Sequence, residues 1–312
     1  GFGLVGTALV NFFLNKKFKV VVFSKKKPVI RKKFFTKSKN LIFENGNLIN
    51  KAKLEKVFNK HAFDGIFHLG SQTQVLNALK DPYNTYKANF IGTLNLLEIH
   101  RKTNNSVPFL YGSSDRAYGD LKKKYYTEND NLNAIYPYDC SKATSDMICQ
   151  SFSKTYNSEI AIVRSCNIFG ECDFNLNRII PETIISLLKN KKLKIRTNGM
   201  QKRDYVYVGD ICKAYYKIFI KLKSSKKNLA IYNTSSNYNL TTLQLVKKIY
   251  KLMAVKENYI IQNKSKTEIK NLRLNFNKIK TEIKWKPIIS LDQGLKYTIN
   301  WYKKNIELFK NF

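Results

Sequence analysis

No apolar run in this 312-residue chain approaches the roughly 20 residues needed to cross a bilayer. The short apolar stretch near the N-terminus opens on glycines rather than on a basic segment, so a signal peptide is not expected either. Histidine is scarce: His61, His68 and His100 are the only three, and no two stand at ligand spacing, which argues against a metal site. Five cysteines (Cys140, Cys149, Cys166, Cys172, Cys212) form no CxxC pair and are odd in number. They read as reduced thiols, mostly buried as small hydrophobes, in a soluble cytoplasmic protein. Acidic residues are few, 22 against 56 basic ones, for a net charge of +34. The lysines behind that excess are scattered, as at Lys122–Lys124 and Lys191–Lys192. They do not alternate with aromatics along one stripe, so specific nucleic-acid binding is not expected. Internal repeats and low-complexity linkers are also missing.

What is present is a packed-core composition, 43% apolar, in an alternating pattern. Gly1-Phe2-Gly3-Leu4-Val5-Gly6 is a glycine-rich turn leading into a helix with apolar residues at Val5, Leu9, Phe12 and Phe13. The strand that should lead into such a turn is not visible, so a first strand is expected upstream of Gly1. Short continuous apolar runs follow at 20–23, 41–43, 65–69, 107–111 and 160–163, the pattern of strands covered on both faces. Helical stretches separate them, around Leu54 and Phe58 and from Phe90 to Leu97. Alternation of this kind specifies an α/β fold with a doubly wound, Rossmann-like parallel sheet. Ligands of such sheets bind beyond the carboxyl ends of the strands, where Gly1–Gly6, Ser24, Asn47, Gly70–Gln72 and Ser113–Arg116 all fall. Regularity weakens after Val163. We expect a dinucleotide-binding domain over 1–165 and a smaller, interleaved substrate-binding lobe over 166–312, with 205–235 returning to the sheet and a basic helical tail from Leu240 onward.

Within Tyr136-Pro137-Tyr138-Asp139-Cys140-Ser141-Lys142, a tyrosine and a lysine stand four residues apart at a helix start marked by Pro137. An ammonium beside a phenol favours the phenolate, which suits removal of a hydroxyl proton as hydride leaves the same carbon. The spacing is common by chance in a chain so rich in both residue types, but it has company. Ser113-Ser114-Asp115-Arg116-Ala117-Tyr118-Gly119 ends a strand some twenty residues earlier. Before it stand His68-Leu69-Gly70-Ser71-Gln72 and Asn89-Phe90-Ile91-Gly92-Thr93. Arg164-Ser165-Cys166-Asn167-Ile168-Phe169-Gly170, Arg203-Asp204-Tyr205 and Trp285-Lys286-Pro287 complete the series. In this order and spacing the motifs resemble the extended short-chain dehydrogenase/reductase family, epimerase/dehydratase branch, over nearly the full length. Within it they are most similar to the nucleotide-sugar 4,6-dehydratases, the CDP-glucose 4,6-dehydratases above all.

The resemblance implies an enzyme and its roles. Tyr138 would take the sugar 4-hydroxyl proton, with Lys142 steadying the phenolate and Ser114 holding the same oxygen. Asp115 would be the acid that expels the 6-hydroxyl as water, which requires a raised pKa. Arg116 stands where these enzymes carry the carbon-5 base; a guanidinium is a poor proton acceptor and would instead clamp an oxyanion or the diphosphate. The cofactor, NAD or NADP, would lie on Gly1, Gly3, Val5, Gly6, Ser24, Lys25, Asn47, Leu48, Leu69, Gly70, Ser71, Gln72 and Asn89, with Tyr138 and Lys142 at the nicotinamide. Ser24-Lys25 lacks the acid that marks NAD-specific members, and a hydroxyl with an ammonium would suit a 2′-phosphate, so the two cofactors stand level. The nucleotide-diphosphate sugar would be gripped by Ser114, Asn167, Arg178, Arg203 and Arg273. A homodimer formed through the segments Asn89–Glu98 and Tyr138–Tyr156 is implied as well. His68 reads as a strand-end residue near the cofactor rather than as an acid or base, and Tyr118 and Trp285 read as packing rather than binding groups. A 4-epimerase of the same family and a non-catalytic dinucleotide-binding scaffold or sensor remain the alternatives.

Overall fold

The computed structural model describes residues 1–25, 29–225, 228–264 and 269–310. Its strands in chain order are β1 (Val20–Ser24), β2 (Leu41–Asn45), β3 (Ile66–His68), β4 (Phe109–Ser114), β5 (Ile160–Ser165), β6 (Asn167–Phe169), β7 (Leu193–Ile195), β8 (Lys202–Tyr207), β9 (Leu229–Thr234), β10 (Asn239–Thr241), β11 (Tyr259–Ile261) and β12 (Asn271–Leu272). The first lobe carries two parallel pieces, β1-β2 and β3-β4-β5-β9. Ile160, Ala161, Ile162 and Val163 are fully buried, the condition that a continuous apolar run anticipates for a strand covered on both faces. Each such aliphatic side chain contributes about 1.5–3 kcal/mol on leaving water.

Gly1 packs closely against β1. A Cβ on it would come within 2.5 Å of Val22 in β1. The Leu4–Asn15 helix follows at once and packs Leu9 and Phe13 against Tyr215 and Phe219.

Because these strands are parallel, Ser24, His68, Ser114 and Ser165 end on the same edge of the sheet. That edge carries the cleft.

The second lobe has its own core, with Ile184, Ile185, Leu245, Ile249 and Leu295 fully buried. Its sheet runs β10-β8-β12, with β6 also paired to β8. The expected return of 205–235 to the main sheet divides in two. Leu229–Thr234 joins β5 in parallel register, whereas residues 205–207 belong to β8 in the second sheet. The helical tail is interrupted too. After the Thr242–Met253 helix, β11 pairs with β7 and β12 with β8 before the helices Asn277–Glu282 and Leu291–Lys304. None of the described helices is long and apolar enough to cross a membrane.

Candidate active site

The end of β4 and the start of the Pro137–Tyr156 helix converge on a cleft of about 940 Å³ between the lobes. Ser114 closes the strand and caps the short helical turn Asp115–Tyr118, accepting from the Arg116 amide at 3.3 Å. Its hydroxyl donates to Asp115 Oδ1 at 3.1 Å and favours the ionised form of the nearby Tyr138 phenol. Pro137 occupies the first turn of the long helix, where its missing N–H costs nothing. The next residue, Tyr138, points its buried ring into the cleft.

Asp115 is 4% exposed, and its Oδ2 is buried without a hydrogen-bond partner. Burial raises its carboxyl to about 6 against the pull of Arg203 and Arg116.

Two expectations fare differently. Lys142 makes its contacts away from the Tyr138 phenol. The phenol is held above its usual value by burial, offset in part by Ser114 and by Arg178. Lys142 Nζ instead donates to the Gly112 carbonyl at 2.5 Å and lies 4.4 Å from the centre of the Tyr111 ring. Burial lowers its own pKa to about 8. Arg116 does not reach out as a free clamp. Its Nε donates to Asp139 Oδ1 at 2.6 Å and its second nitrogen to Oδ2 at 3.2 Å, a forked pair with a carboxylate only 1% exposed.

The glycine turn fits a dinucleotide by two separate features. Gly3 is the N-cap of the Leu4–Asn15 helix with no side chain bonded to the free amides, and a Cβ there would meet nothing within 4 Å. Those amides are open to a pyrophosphate. Gly6, in contrast, packs against backbone, since a Cβ would lie 2.6 Å from the Gly1 carbonyl oxygen. Val5, Ser24, Lys25, Asn47, Leu48, Leu69, Gly70, Ser71 and Gln72 line the same cleft, with Gly1, Gly3 and Gly6.

Asn89 does not line it. Its amide is buried, accepting from Gln72 N at 2.7 Å, and donating to Gln72 O at 3.0 Å and Ser141 Oγ at 2.8 Å. Asn89 therefore ties the loop after β3 to the Tyr138 helix rather than facing a cofactor. His68 is buried, bonded to Thr93 Oγ1 at 2.8 Å and held neutral by burial, which lowers its pKa to about 3.

Of the expected substrate residues, Asn167, Arg178 and Arg203 line the cleft, with Arg178 paired to Asp173 at 3.1 Å. Arg273 does not; its guanidinium lies 4.6 Å over the Tyr125 ring. Three functional side chains escaped the sequence reading. Asp139 holds Arg116. Arg31 lines the cleft and donates to the Phe2 carbonyl at 3.0 Å. Asp146, fully buried, accepts from Ser113 at 2.7 Å and from the Arg164 fork at 2.9 Å. Only Asp139 left a signal, as the neighbour of Tyr138.

Residues 1–298 match the family model described as GDP-mannose 4,6 dehydratase. The dTDP-glucose 4,6-dehydratase of Haemophilus influenzae is 26% identical, with 98% of this chain and 96% of that protein aligned. The dTDP-D-glucose 4,6-dehydratase of Dictyostelium discoideum is 28% identical over 100% of this chain and 82% of its own. Among solved structures, dTDP-glucose 4,6-dehydratase from Bacillus anthracis in complex with NAD superposes with a TM-score of 0.86 at 27% identity, covering 98% of this chain and 95% of the other. UDP-glucose 4-epimerase from Thermotoga maritima shares the fold, with a TM-score of 0.89 at 24% identity over 98% and 97% of the two chains.

Proposed function

Because this chain belongs to the GDP-mannose 4,6-dehydratase family, we propose that it converts a nucleotide-diphosphate hexose to the 4-keto-6-deoxy sugar, using NAD. The NAD held by the Bacillus anthracis relative supports that choice of cofactor over NADP. Bound across the glycine turn, NAD supplies hydride acceptance at sugar carbon 4 and hydride return at carbon 6. Tyr138 takes the 4-hydroxyl proton, and Ser114 orients the same oxygen. The carbon-4 ketone acidifies the carbon-5 hydrogen, and a base other than Arg116 takes that proton. The C5–H pair becomes the C5–C6 double bond as Asp115 gives its proton to the 6-hydroxyl and the C6–O bond breaks, releasing water. Hydride at carbon 6 and a proton at carbon 5 then complete the 4-keto-6-deoxy sugar. Arg203 and Arg178, on the substrate side of the cleft, face the diphosphate. Arg116 takes no proton, since its fork is bound to a carboxylate.

One observation carries the reading: a buried carboxyl with an unpartnered oxygen, raised to about 6, beside Ser114 and Tyr138. A plain 4-epimerase has no use for such an acid. The epimerase remains the rival because Arg116 replaces the expected base, whereas a non-catalytic scaffold needs no proton relay at all. The nucleotide is a separate question. The relatives above are named for dTDP-glucose, not for the CDP-glucose that the motifs suggest.

Incubation with NAD and CDP-, dTDP-, GDP- or UDP-hexoses, followed by mass spectrometry and NMR of the sugar, tests the reading. Loss of water with a 4-keto product is expected from one of them. A carbon-4 epimer with no loss of water would replace the reading with the rival one. We place the reaction in the cytoplasm, on the five unpaired thiols. We also take the enzyme to be a homodimer, on the exposure of Tyr83, Ile91 and Met147 along adjoining helical segments.

A further inference from the structure

The dehydratase reading leaves Arg116 without a chemical task, although it lines the cleft one residue after the acid. The structure gives it one. Asp115 sits on the short turn that follows β4, and Tyr138 on the first turn of a helix that begins 22 residues later. The loop between them is long, so something must hold the two turns in register. The Arg116–Asp139 fork spans that junction: each partner is the immediate chain neighbour of one catalytic group, and both are largely withdrawn from water, at 12% and 1% exposed. A forked pair fixes angle as well as distance.

The same guanidinium is one of two positive charges acting on the acid. The groups facing Asp115 are Arg203, Asp204 and Tyr205 from β8, Tyr126 from the loop, Cys166 beyond β5, and Ser114. Arg203 and Arg116 oppose the effect of burial. We propose that Arg116 is a positioning residue: paired with Asp139, it staples the Asp115 turn to the Tyr138 helix and sets the positive charge felt by the leaving-group acid. A lysine in its place keeps the charge but loses the fork. A glutamine loses both. This proposal rests on the dehydratase reading for its kinetic consequence, but not for its electrostatic one.

The test titrates the Asp115 carboxyl by carbon-13 NMR in the substrate-free protein and, in parallel, times NAD reduction and water loss in single turnovers. Arg116→Gln should raise the carboxyl midpoint by about one pH unit, within the range commonly produced by a neighbouring opposite charge. It should slow water loss about tenfold or more, as misplacement of a catalytic group does, and NAD reduction by a smaller factor, because the guanidinium acts on the Tyr138 phenol as well. Arg116→Lys should return the midpoint to the wild-type value and recover only part of the rate. Should the lone buried Asp139 prevent Arg116→Gln from folding, the neutral pair Arg116→Gln with Asp139→Asn takes its place and should show the same raised midpoint. An unmoved midpoint in the glutamine variants overturns the proposal. So does an equal fall in NAD reduction and water loss. If the wild-type protein releases no water from any hexose, the dehydratase reading fails, and the carboxyl titration still decides the role of Arg116.

Discussion

Replacing Asp115 by asparagine should make the protein more stable and less capable at once. Burial lifts the carboxyl from 3.8 to about 6, a difference of about 2 units. At 1.36 kcal/mol per unit, the ionised carboxylate costs the fold about 3 kcal/mol. The folded-state pKa lies above the unfolded one, so this stability is fully present below about pH 4 and is lost as pH rises through about 6. An asparagine carries no charge to desolvate, and its amide can still meet Ser114. In urea unfolding, Asp115→Asn should therefore match wild type near pH 4 and exceed it by up to about 3 kcal/mol at pH 8. The same change removes the proton donor. Water loss should be abolished while NAD is still reduced by the sugar, so the reduced cofactor accumulates. In the wild type the protonated fraction of Asp115 is about one tenth at pH 7 and falls about tenfold by pH 8, so elimination should weaken along that limb. Equal stability at pH 8 would refute the burial argument, and full turnover would refute the role of the acid.

Removing the Tyr138 hydroxyl as Tyr138→Phe should slow every redox step by about 10²–10⁴-fold, the usual worth of acid–base help; wild-type rates in stopped flow would end the enzyme reading. The two glycines of the turn should separate by calorimetry. Gly6→Ala drives a methyl into the Gly1 carbonyl, 2.6 Å away, and should lower both the melting temperature and NAD affinity. Gly3→Ala points into open space and should lower NAD affinity alone; the reverse pattern would contradict the assigned roles. Arg164→Met strands Asp146, which is fully buried, and should cost about 3–5 kcal/mol in denaturant unfolding. A loss under 1 kcal/mol would contradict the buried-charge argument.

Much of this architecture was legible because it is written in local pattern. Ile160–Val163 reads as a buried strand from its composition, and Pro137 marks the helix that presents Tyr138. Ser114 and Asp115 were legible as the polar end of β4. Sequence reasoning failed where a side chain chose between distant partners. Lys142 was assigned to Tyr138, four residues away, yet its ammonium took the Gly112 carbonyl, 30 residues distant, and the Tyr111 ring. Asn89 resembled a cofactor contact, but its amide serves Gln72 and Ser141. Arg273 was placed on the diphosphate and lies instead on Tyr125.

Local pattern along the chain was enough for the alternating strands and helices up to Val163, the glycine turn and the chemical types gathered at one sheet edge, because periodicity and turn chemistry act over a few residues. Tertiary structure decided which charges neutralise one another and which proton is held ready. Arg116 met Asp139, and Asp115 was left buried with an unpartnered oxygen. Those outcomes depend on desolvation and on forked hydrogen bonds between segments more than twenty residues apart, and no local pattern along the chain encodes them.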